Sequence, residues 1–325
     1  MKVKAQAHHS VLIKAGVLFL GLVFSGPAVM AASPTAAQEQ SYDREQYVRS
    51  FNSLQRAAAR GDASAQVGLA MMYRMGRGVQ KDPEKALAWY RRAAEQGYAP
   101  AQYNLGVMYA KGEGVKKDEA RAAIWYKKAA GQKDPMAQYN LGMMYAEGRG
   151  VTRNLQQALA WLINSAENGD PQGQFALGVM YTRGEAVEKN DQKAFSWYEK
   201  SAAQNYPEGL LAAGLSYGLG RGVAQDVDQS VKLISRAAAL GNAEAQFQTG
   251  MMFETGYAGL KDIQQAIAWY ERAAQSDSVK AMLRLGALYG DGIGVAADPQ
   301  ASRSWYEKAA AKGSEEAKAK LAAQP

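Results

Sequence analysis

Residues 101–130 read AQYNLGVMYAKGEGVKKDEARAAIWYKKAA, and residues 137–166 repeat the same pattern with 15 of the 30 residues identical. The offset between the two stretches is 36 residues, and it recurs along most of the chain. The tryptophans follow this offset at Trp89, Trp125, Trp161, Trp197, Trp269 and Trp305, and Leu233 occupies the missing position of the series. A constant period of this length is the signature of a repeat protein, in which each copy is one supersecondary unit.

Three further sets of residues follow the same period, and seven copies keep their register without insertion or deletion. One set is small: Ala70, Gly106, Gly142, Gly178, Gly214, Gly250 and Gly286. A second is aromatic: Tyr73, Tyr109, Tyr145, Tyr181, Tyr217, Phe253 and Tyr289. A third is glycine: Gly76, Gly112, Gly148, Gly184, Gly220, Gly256 and Gly292.

Each unit is predicted to contain two helices. The apolar residues of its first half recur at helical spacing, at Ala101, Leu105, Met108 and Tyr109. Gly112 is expected to end this helix, because glycine readily adopts the left-handed conformation of a helix C-terminus. Asp118 is expected to cap the second helix by accepting from its first free N–H groups. Trp125 on that second helix is expected to be a large buried side chain.

The two ends of the repeat array are predicted to carry half units that act as solvent-facing caps. Ala57 and Gly61 stand one period before Ala93 and Gly97, and the C-terminal end turns polar. The predicted organisation is a signal peptide (1–31), a disordered spacer (32–43), an N-terminal capping helix (44–64), seven repeats (65–100, 101–136, 137–172, 173–208, 209–244, 245–280, 281–316) and the end of a C-terminal capping helix (317–325).

The N-terminal residues have the pattern of an export signal. Lys2, Lys4 and Lys14 are followed by the apolar run AGVLFLGLVF at 15–24. This run has about half of the roughly 20 apolar residues that a spanning helix needs. We expect cleavage after Ala31, or alternatively after Ala32, and export to the periplasm of a Gram-negative bacterium without stable membrane insertion. An uncleaved N-terminal anchor is the alternative interpretation.

The composition removes most enzyme chemistry. The chain has no cysteine, and its only histidines are His8 and His9, inside the predicted signal peptide. Cysteine nucleophiles, disulfides, imidazole bases and the usual zinc and haem ligand sets are therefore excluded from the predicted mature chain. We expect no catalytic residue, no cofactor and no metal. The net charge of +7 includes the three lysines of the signal peptide, and the remainder is dispersed, so no nucleic-acid partner is expected.

The pattern A-x-x-x-L-G-x-M-Y-x-x-G-x-G-V-x-x-D-x-x-x-A-x-x-W-Y-x-x-A-A at 101–130 strongly resembles the Sel1-like repeat, a relative of the tetratricopeptide repeat. The resemblance implies an all-α fold, a right-handed α-solenoid of seven 36-residue helix-turn-helix repeats with half-repeat caps, used as an interaction scaffold without catalysis. Its structural repeat positions in one unit are Gly106, Tyr109, Gly112, Asp118 and Trp125. Leu233, Ala186 and the altered loop at 256–259 depart from the pattern and predict weaker packing in units five and six.

The candidate partner-binding residues lie on the first helices, which line the concave side in repeats of this kind. They are Tyr103, Asn104, Val107, Lys111, Tyr139, Asn140, Met143, Glu147, Phe175 and Arg183. The aromatic members are either anchors of a peptide groove or packing between repeats, and the sequence leaves both interpretations open. The polar members change from repeat to repeat, which is expected of positions that determine specificity.

The expected function is a non-catalytic scaffold or adaptor of the bacterial envelope, monomeric, that binds a protein or an extended peptide on the concave face. The alternative is a peptidoglycan-related or β-lactam-binding, enzyme-like protein, because some cysteine-rich relatives of the family have been linked to β-lactams. The chain has neither their cysteines nor a Ser-x-x-Lys motif. Self-assembly through the solenoid ends is a third possibility, against which the polar caps argue.

The exported protein should begin at Ala32 and be recovered in the periplasmic fraction. The short apolar run and the Val29-Met30-Ala31 site are the reasons. Intact mass spectrometry of the exported protein measures this directly, and a membrane-bound form that retains Met1 would contradict it.

Overall fold

The computed structural model describes residues 36–323, with side chains from Gln46 onward, and this part contains sixteen α-helices, one 3₁₀ turn and no strand. The chain separates into two units, residues 1–43 and residues 44–325. Of the first, only the beginning of α1 is described, so the description below concerns the second unit.

The helices are α1 (Ala36–Ala59), α2 (Ala63–Met75), α3 (Pro83–Glu95), α4 (Ala99–Lys111), α5 (Glu119–Gly131), α6 (Pro135–Glu147), α7 (Leu155–Glu167), α8 (Pro171–Arg183), α9 (Asp191–Ala203), α10 (Pro207–Leu219), α11 (Val227–Ala239), α12 (Ala243–Thr255), α13 (Ile263–Gln275), α14 (Val279–Asp291), α15 (Pro299–Ala311) and α16 (Glu315–Ala322). The 3₁₀ turn lies at Tyr257–Gly259, between α12 and α13.

The helices from α2 to α15 form seven antiparallel pairs, and the two helices of a pair make the most extensive contacts in the chain. Each second helix then packs on the first helix of the following pair. Such nearest-neighbour packing builds an α-solenoid, because no single pair can bury its apolar face alone. The predicted fold class is confirmed.

Helix caps explain why the helices begin and end at the same points in each repeat. The side chain of Asp118 accepts a hydrogen bond from the Arg121 N–H at 2.9 Å, which confirms the predicted cap of α5. Equivalent bonds open every second helix from Asp82, Asn154, Asn190, Asp226, Asp262 and Asp298. Gly112 ends α4 in the left-handed conformation, with φ 75°, as predicted.

The small residue of the first helix lets the two helices of a pair approach closely. A Cβ atom added to Gly106 would lie 2.7 Å from Cδ1 of Tyr126, which real Cβ atoms do not tolerate. Tyr126 is buried, with 4% of its surface exposed. The same contact joins Gly178 to Tyr198 and Gly250 to Tyr270. Glycine on one helix and an aromatic ring on the other therefore determine the spacing within the pair.

Trp125 is half-buried, and the expectation that it is a large buried side chain is wrong. Consecutive helix residues point in directions about 100° apart, so Tyr126 enters the core while Trp125 stays at its edge. The Nζ of Lys128 lies 4.1 Å from the centroid of the Trp125 ring and covers it. The same cation–π pair occurs at Trp89–Arg92, Trp197–Lys200, Trp269–Arg272 and Trp305–Lys308.

A buried glutamine, which the sequence analysis did not single out, joins neighbouring helices in most repeats. Gln102 donates to the carbonyl oxygen of Ala94 at 3.2 Å and accepts from Gln132 at 2.8 Å. It therefore links α4 to both the preceding and the following second helix. The equivalent residues are Gln66, Gln138, Gln174 and Gln246, and Leu210 and Met282 interrupt the series.

The second glycine of most loops marks the contact between repeats. A Cβ added to Gly114 would lie 2.4 Å from the carbonyl oxygen of Pro83, at the start of the preceding second helix. Ala186 occupies the same position in the fourth repeat and keeps the left-handed conformation, with φ 60°. For a residue with a Cβ this conformation costs about 1–2 kcal/mol. The departure at Ala186 is thus accommodated as local backbone strain.

The ends of the array are helical. The helix α1 begins at Ala36 and so extends into residues 36–43, which the sequence analysis assigned to a disordered spacer; Gln38, Glu39 and Gln40 are good helix formers. Phe51 of α1 packs edge-on against Tyr73, with ring centroids 5.5 Å apart. At the other end, α16 buries only Ala317. The predicted signal peptide, 1–31, lies outside the described residues.

Replacing Tyr126 by alanine should lower the free energy of unfolding by about 3–5 kcal/mol, because a buried aromatic ring leaves a cavity. Replacing Trp125 by alanine should lower it by only about 1–2 kcal/mol, since the ring is half-buried. Urea unfolding of the two variants makes the comparison. A larger loss for Trp125→Ala than for Tyr126→Ala would contradict this assignment of the core.

Candidate functional site

The first helices of the pairs line the inner side of the solenoid. Consecutive first helices contact each other at α2 and α4, at α6 and α8, and at α8 and α10. Within residues 44–323, no two consecutive second helices make a contact of that extent. Because the inner side of a curved stack is the shorter one, the helices that contact each other lie inside. We call the solvent-facing side of α2, α4, α6, α8, α10, α12 and α14 the inner face.

The candidate binding residues all lie on three neighbouring helices of this set. The helix α4 carries Tyr103, Asn104, Val107 and Lys111; α6 carries Tyr139, Asn140, Met143 and Glu147; α8 carries Phe175 and Arg183. Lys111, Glu147 and Arg183 are exposed, and the other seven are half-buried. The structure therefore places equivalent residues one repeat apart on successive first helices, and the charged residues are the most exposed of the set.

Two of the three aromatic members, Tyr103 and Phe175, pack against the second helix of their own repeat. The ring of Tyr103 lies 5.9 Å from that of Tyr126, and the ring of Phe175 lies 5.8 Å from that of Tyr198. Phe175 also contacts Tyr206 of the next repeat, with centroids 6.0 Å apart. These ring contacts join the helices, and both side chains remain half-buried.

The two asparagines already have partners within the chain. Asn104 donates from Nδ2 to the carbonyl oxygen of Pro100 at 2.8 Å. Burial raises the pKa of Tyr103, and a side-chain hydrogen bond with Asn140 opposes that rise. Asn140 thus connects its own helix to the preceding one, and each amide retains further hydrogen-bonding capacity.

Each charged candidate lies beside an oppositely charged loop residue two positions further on. The Nζ of Lys111 lies 4.0 Å from Glu113, Glu147 pairs with Arg149, and Arg183 lies 3.5 Å from Glu185. Exposed pairs of this kind contribute about 0–1 kcal/mol, so their charges can readily be redirected to a partner.

Two stronger ion pairs join neighbouring repeats at this face, and sequence reasoning missed both. The Nε of Arg74 donates to Glu113 at 2.6 Å and lowers the pKa of that carboxyl group. The Nε of Arg284 donates to Glu254 at 2.9 Å, and this hydrogen bond lowers the pKa of Glu254. Partners 39 and 30 residues apart in the chain meet only because the repeats stack.

A pocket of about 150 Å³ lies between the fourth and fifth repeats. We call it the Ser216 pocket, because Ser216 occupies the position of the core residues Met72, Met108, Met144, Met180, Met252 and Leu288. Its other lining residues include Thr182, Asp191, Tyr198, Leu219 and Arg221. Oδ1 of Asp191 is buried and has no hydrogen-bond partner.

A second pocket, of about 200 Å³, lies between the fifth and sixth repeats. We call it the Ile234 pocket, because Ile234 replaces the tyrosine that fills this position in most repeats. Its walls are mainly apolar and include Leu215, Met251, Met252 and Tyr257. Leu219, which is 62% exposed, lines both pockets. The signal that could have found them is the loss of the periodic methionine and tyrosine in one repeat.

Within residues 36–323, the structure has no group of three or more histidine, cysteine, aspartate or glutamate side chains placed to hold a metal ion. No helix in the described part of the chain is long and apolar enough to cross a membrane.

The stacked helix pairs, the recurring glycine–aromatic contact and the capped loops define an α-solenoid of the tetratricopeptide-like class. The chain belongs to the Sel1 repeat family, whose sequence profile matches it seven times, at residues 63–98, 99–134, 135–170, 171–206, 207–242, 243–278 and 279–314. These repeats begin where the first helices begin, two residues before the units defined from the sequence columns. Proteins of this family are commonly scaffolds for protein–protein interaction and generally non-catalytic.

Among solved structures, a Sel1 repeat protein from Oxalobacter formigenes is 35% identical, with a TM-score of 0.66; the match covers 86% of this chain and 81% of that protein. The chain is also 38% identical to a protective antigen present in uropathogenic Escherichia coli strains, with a TM-score of 0.45; that match covers 83% of this chain and 66% of the antigen. The comparison with curated proteins gives no match.

Residues 209–244 should exchange their amide hydrogens faster than any other repeat. This repeat has Leu233 and Ile234 in place of the Trp-Tyr pair and Ser216 in place of methionine, so it buries less surface. Hydrogen exchange resolved by repeat is the measurement. Protection of 209–244 equal to that of the best-protected repeat would contradict the prediction.

Proposed function

We propose that the protein is a non-catalytic scaffold that binds a partner protein, through an extended segment of that partner, on its inner face. The observation that carries the proposal is a contrast between two sets of positions. Side chains on the inner face vary from repeat to repeat, whereas the residues that build the helix pairs recur. The position of Asn104 reads glycine, asparagine, alanine, glutamine or arginine in other repeats, and the position of Lys111 changes as widely. Glycine, tyrosine and helix caps around these positions recur almost unchanged.

The physical character of the inner face supports this function. Half-buried aromatic rings offer apolar edges, and the amides beside them can bond the backbone of an extended chain. The exposed charges at Lys111, Glu147 and Arg183 are held only by weak pairs and alternate in sign along the stack. A partner that engages several repeats at once gains affinity by adding small contacts, which is typical of solenoids.

We further propose that the scaffold acts in the bacterial envelope as a monomer, in the periplasm or after secretion, and has a regulatory role there. The lysine-rich start, the short apolar run and the small residues before Ala32 support export. The polar surface of α16, which buries only Ala317, favours a solvent-facing end over end-to-end assembly.

Site-specific photocrosslinking tests which face binds. A benzoylphenylalanine that replaces Lys111 or Glu147 on the inner face should crosslink the same protein, identified by mass spectrometry, from both positions. The matched controls replace Lys127 or Asn164, which are exposed on the second helices α5 and α7. Crosslinks to that protein from the second helices alone would show that binding uses the outer face.

A further inference from the structure

In the fifth repeat, 207–242, residues that fill the core of the other repeats are replaced on both sides of the first helix, α10. Ser216 leaves the space of a missing methionine side chain toward the fourth repeat. Ile234 leaves the space of a missing tyrosine side chain toward the sixth. Leu219, which is 62% exposed, lines both openings.

The Ser216 pocket contains a buried hydrogen-bond acceptor that receives no hydrogen bond. Oδ1 of Asp191 is buried there without a partner. Tyr198 and Thr182, which also line the pocket, are engaged with each other at 2.8 Å, and Ser216 donates to the carbonyl oxygen of Ala212. Arg221 is another lining residue, so a second cation would be repelled. The charge pattern therefore suits a neutral O–H or N–H on an apolar side chain.

The Ile234 pocket is of a different kind. Leu215, Ile234, Met251 and Met252 make it apolar, and Met251 is 39% exposed. The altered sixth loop contributes Tyr257, whose hydroxyl oxygen would lie 3.2 Å from a Cβ added to Gly218. Methionine and leucine walls adapt to bulky aliphatic side chains, so this pocket suits a leucine, isoleucine or methionine.

We propose that the two pockets are the specificity site of the solenoid: the Ser216 pocket takes a tyrosine and the Ile234 pocket an aliphatic side chain of one extended segment in a partner protein. The proposal rests on the proposed function, whose partner class it narrows. At about 150 and 200 Å³, each pocket is smaller than the roughly 300–1,000 Å³ of typical small-molecule sites, so each accommodates one side chain.

The spacing of the pockets determines the spacing in the partner. The pockets lie on opposite sides of α10, about one helix spacing apart, which is roughly 8–10 Å for packed helices. In a polyproline II segment, residues i and i+3 point the same way and lie about 9 Å apart. The partner segment therefore carries tyrosine and the aliphatic residue three positions apart.

Fluorescence anisotropy with synthetic peptides tests this on the mature protein. The probes are labelled Gly-Ser-Pro-Tyr-Pro-Pro-Leu-Pro-Ser-Gly and the same peptide with Tyr and Leu exchanged, since the chain direction is open. At least one order should bind, and removing one proline between the two side chains should abolish binding. Phenylalanine in place of tyrosine should weaken binding about ten- to a hundredfold, the effect of one hydrogen bond to a carboxylate.

Protein variants connect this binding to the pockets. Ser216→Met restores the methionine of most other repeats. It should weaken peptide binding at least tenfold, because the methionine side chain fills the pocket. The control variant, Leu288→Met, places a methionine at the equivalent position of the seventh repeat. Leu288 lines neither pocket, so this variant should bind the peptide as the unchanged protein does. In Asp191→Ala the preference for tyrosine over phenylalanine should disappear, which a structural role for Asp191 would not predict.

If Ser216→Met does not fold, Leu219→Ser replaces it, with the exposed Leu240 of the same repeat changed to serine as its control. Equal binding by Ser216→Met (or Leu219→Ser) and its control, or no binding of either peptide order, would overturn the proposal. Crosslinking of a partner from the Lys111 and Glu147 positions is independent of both pockets. A negative peptide experiment would therefore overturn the pocket proposal alone. A failure of the proposed function would appear separately, in the crosslinking experiment.

Discussion

The close approach of a glycine on the first helix to an aromatic ring on the second is the contact on which the solenoid depends. In the second repeat Gly106 lies so near Tyr126 that any larger residue would push the helices apart. Because each second helix also packs on the next first helix, a change in this spacing would alter the stacking of the neighbouring repeat. Glycine occupies this position in six of the seven repeats and Ala70 in the first. A small residue here is thus a geometric requirement, and it explains why the remaining surface is free to vary.

Polar groups fulfil a second requirement, that of joining repeats whose apolar contacts alone would permit sliding. The buried amide of Gln102 bonds both neighbouring second helices, and the pairs Arg74–Glu113 and Arg284–Glu254 join successive repeats. A hydrogen bond has direction, so it determines the register between repeats as well as their distance. Where Leu210 interrupts the glutamine series, the fifth repeat loses that constraint.

A solenoid tolerates one irregular repeat because each repeat contacts only its neighbours. Stability lost around Ser216 and Ile234 stays local, and the flanking repeats keep the chain folded. The same irregularity produces two pockets beside the exposed Leu219. Looser packing and the two pockets therefore occur in the same repeat.

The sequence by itself determined the repeat number, the helix pairs, their caps and the helices that carry the candidate binding residues, because all of these are local or periodic. It overestimated the burial of Trp125, since periodicity does not tell which of two adjacent aromatic residues enters the core. It also left open which ring Tyr103 contacts. Only the tertiary structure decided these points, together with the ion pairs, the glutamine bonds and the two pockets. Each of them joins residues that are distant in the chain, and their distances follow from how the helices stack in three dimensions.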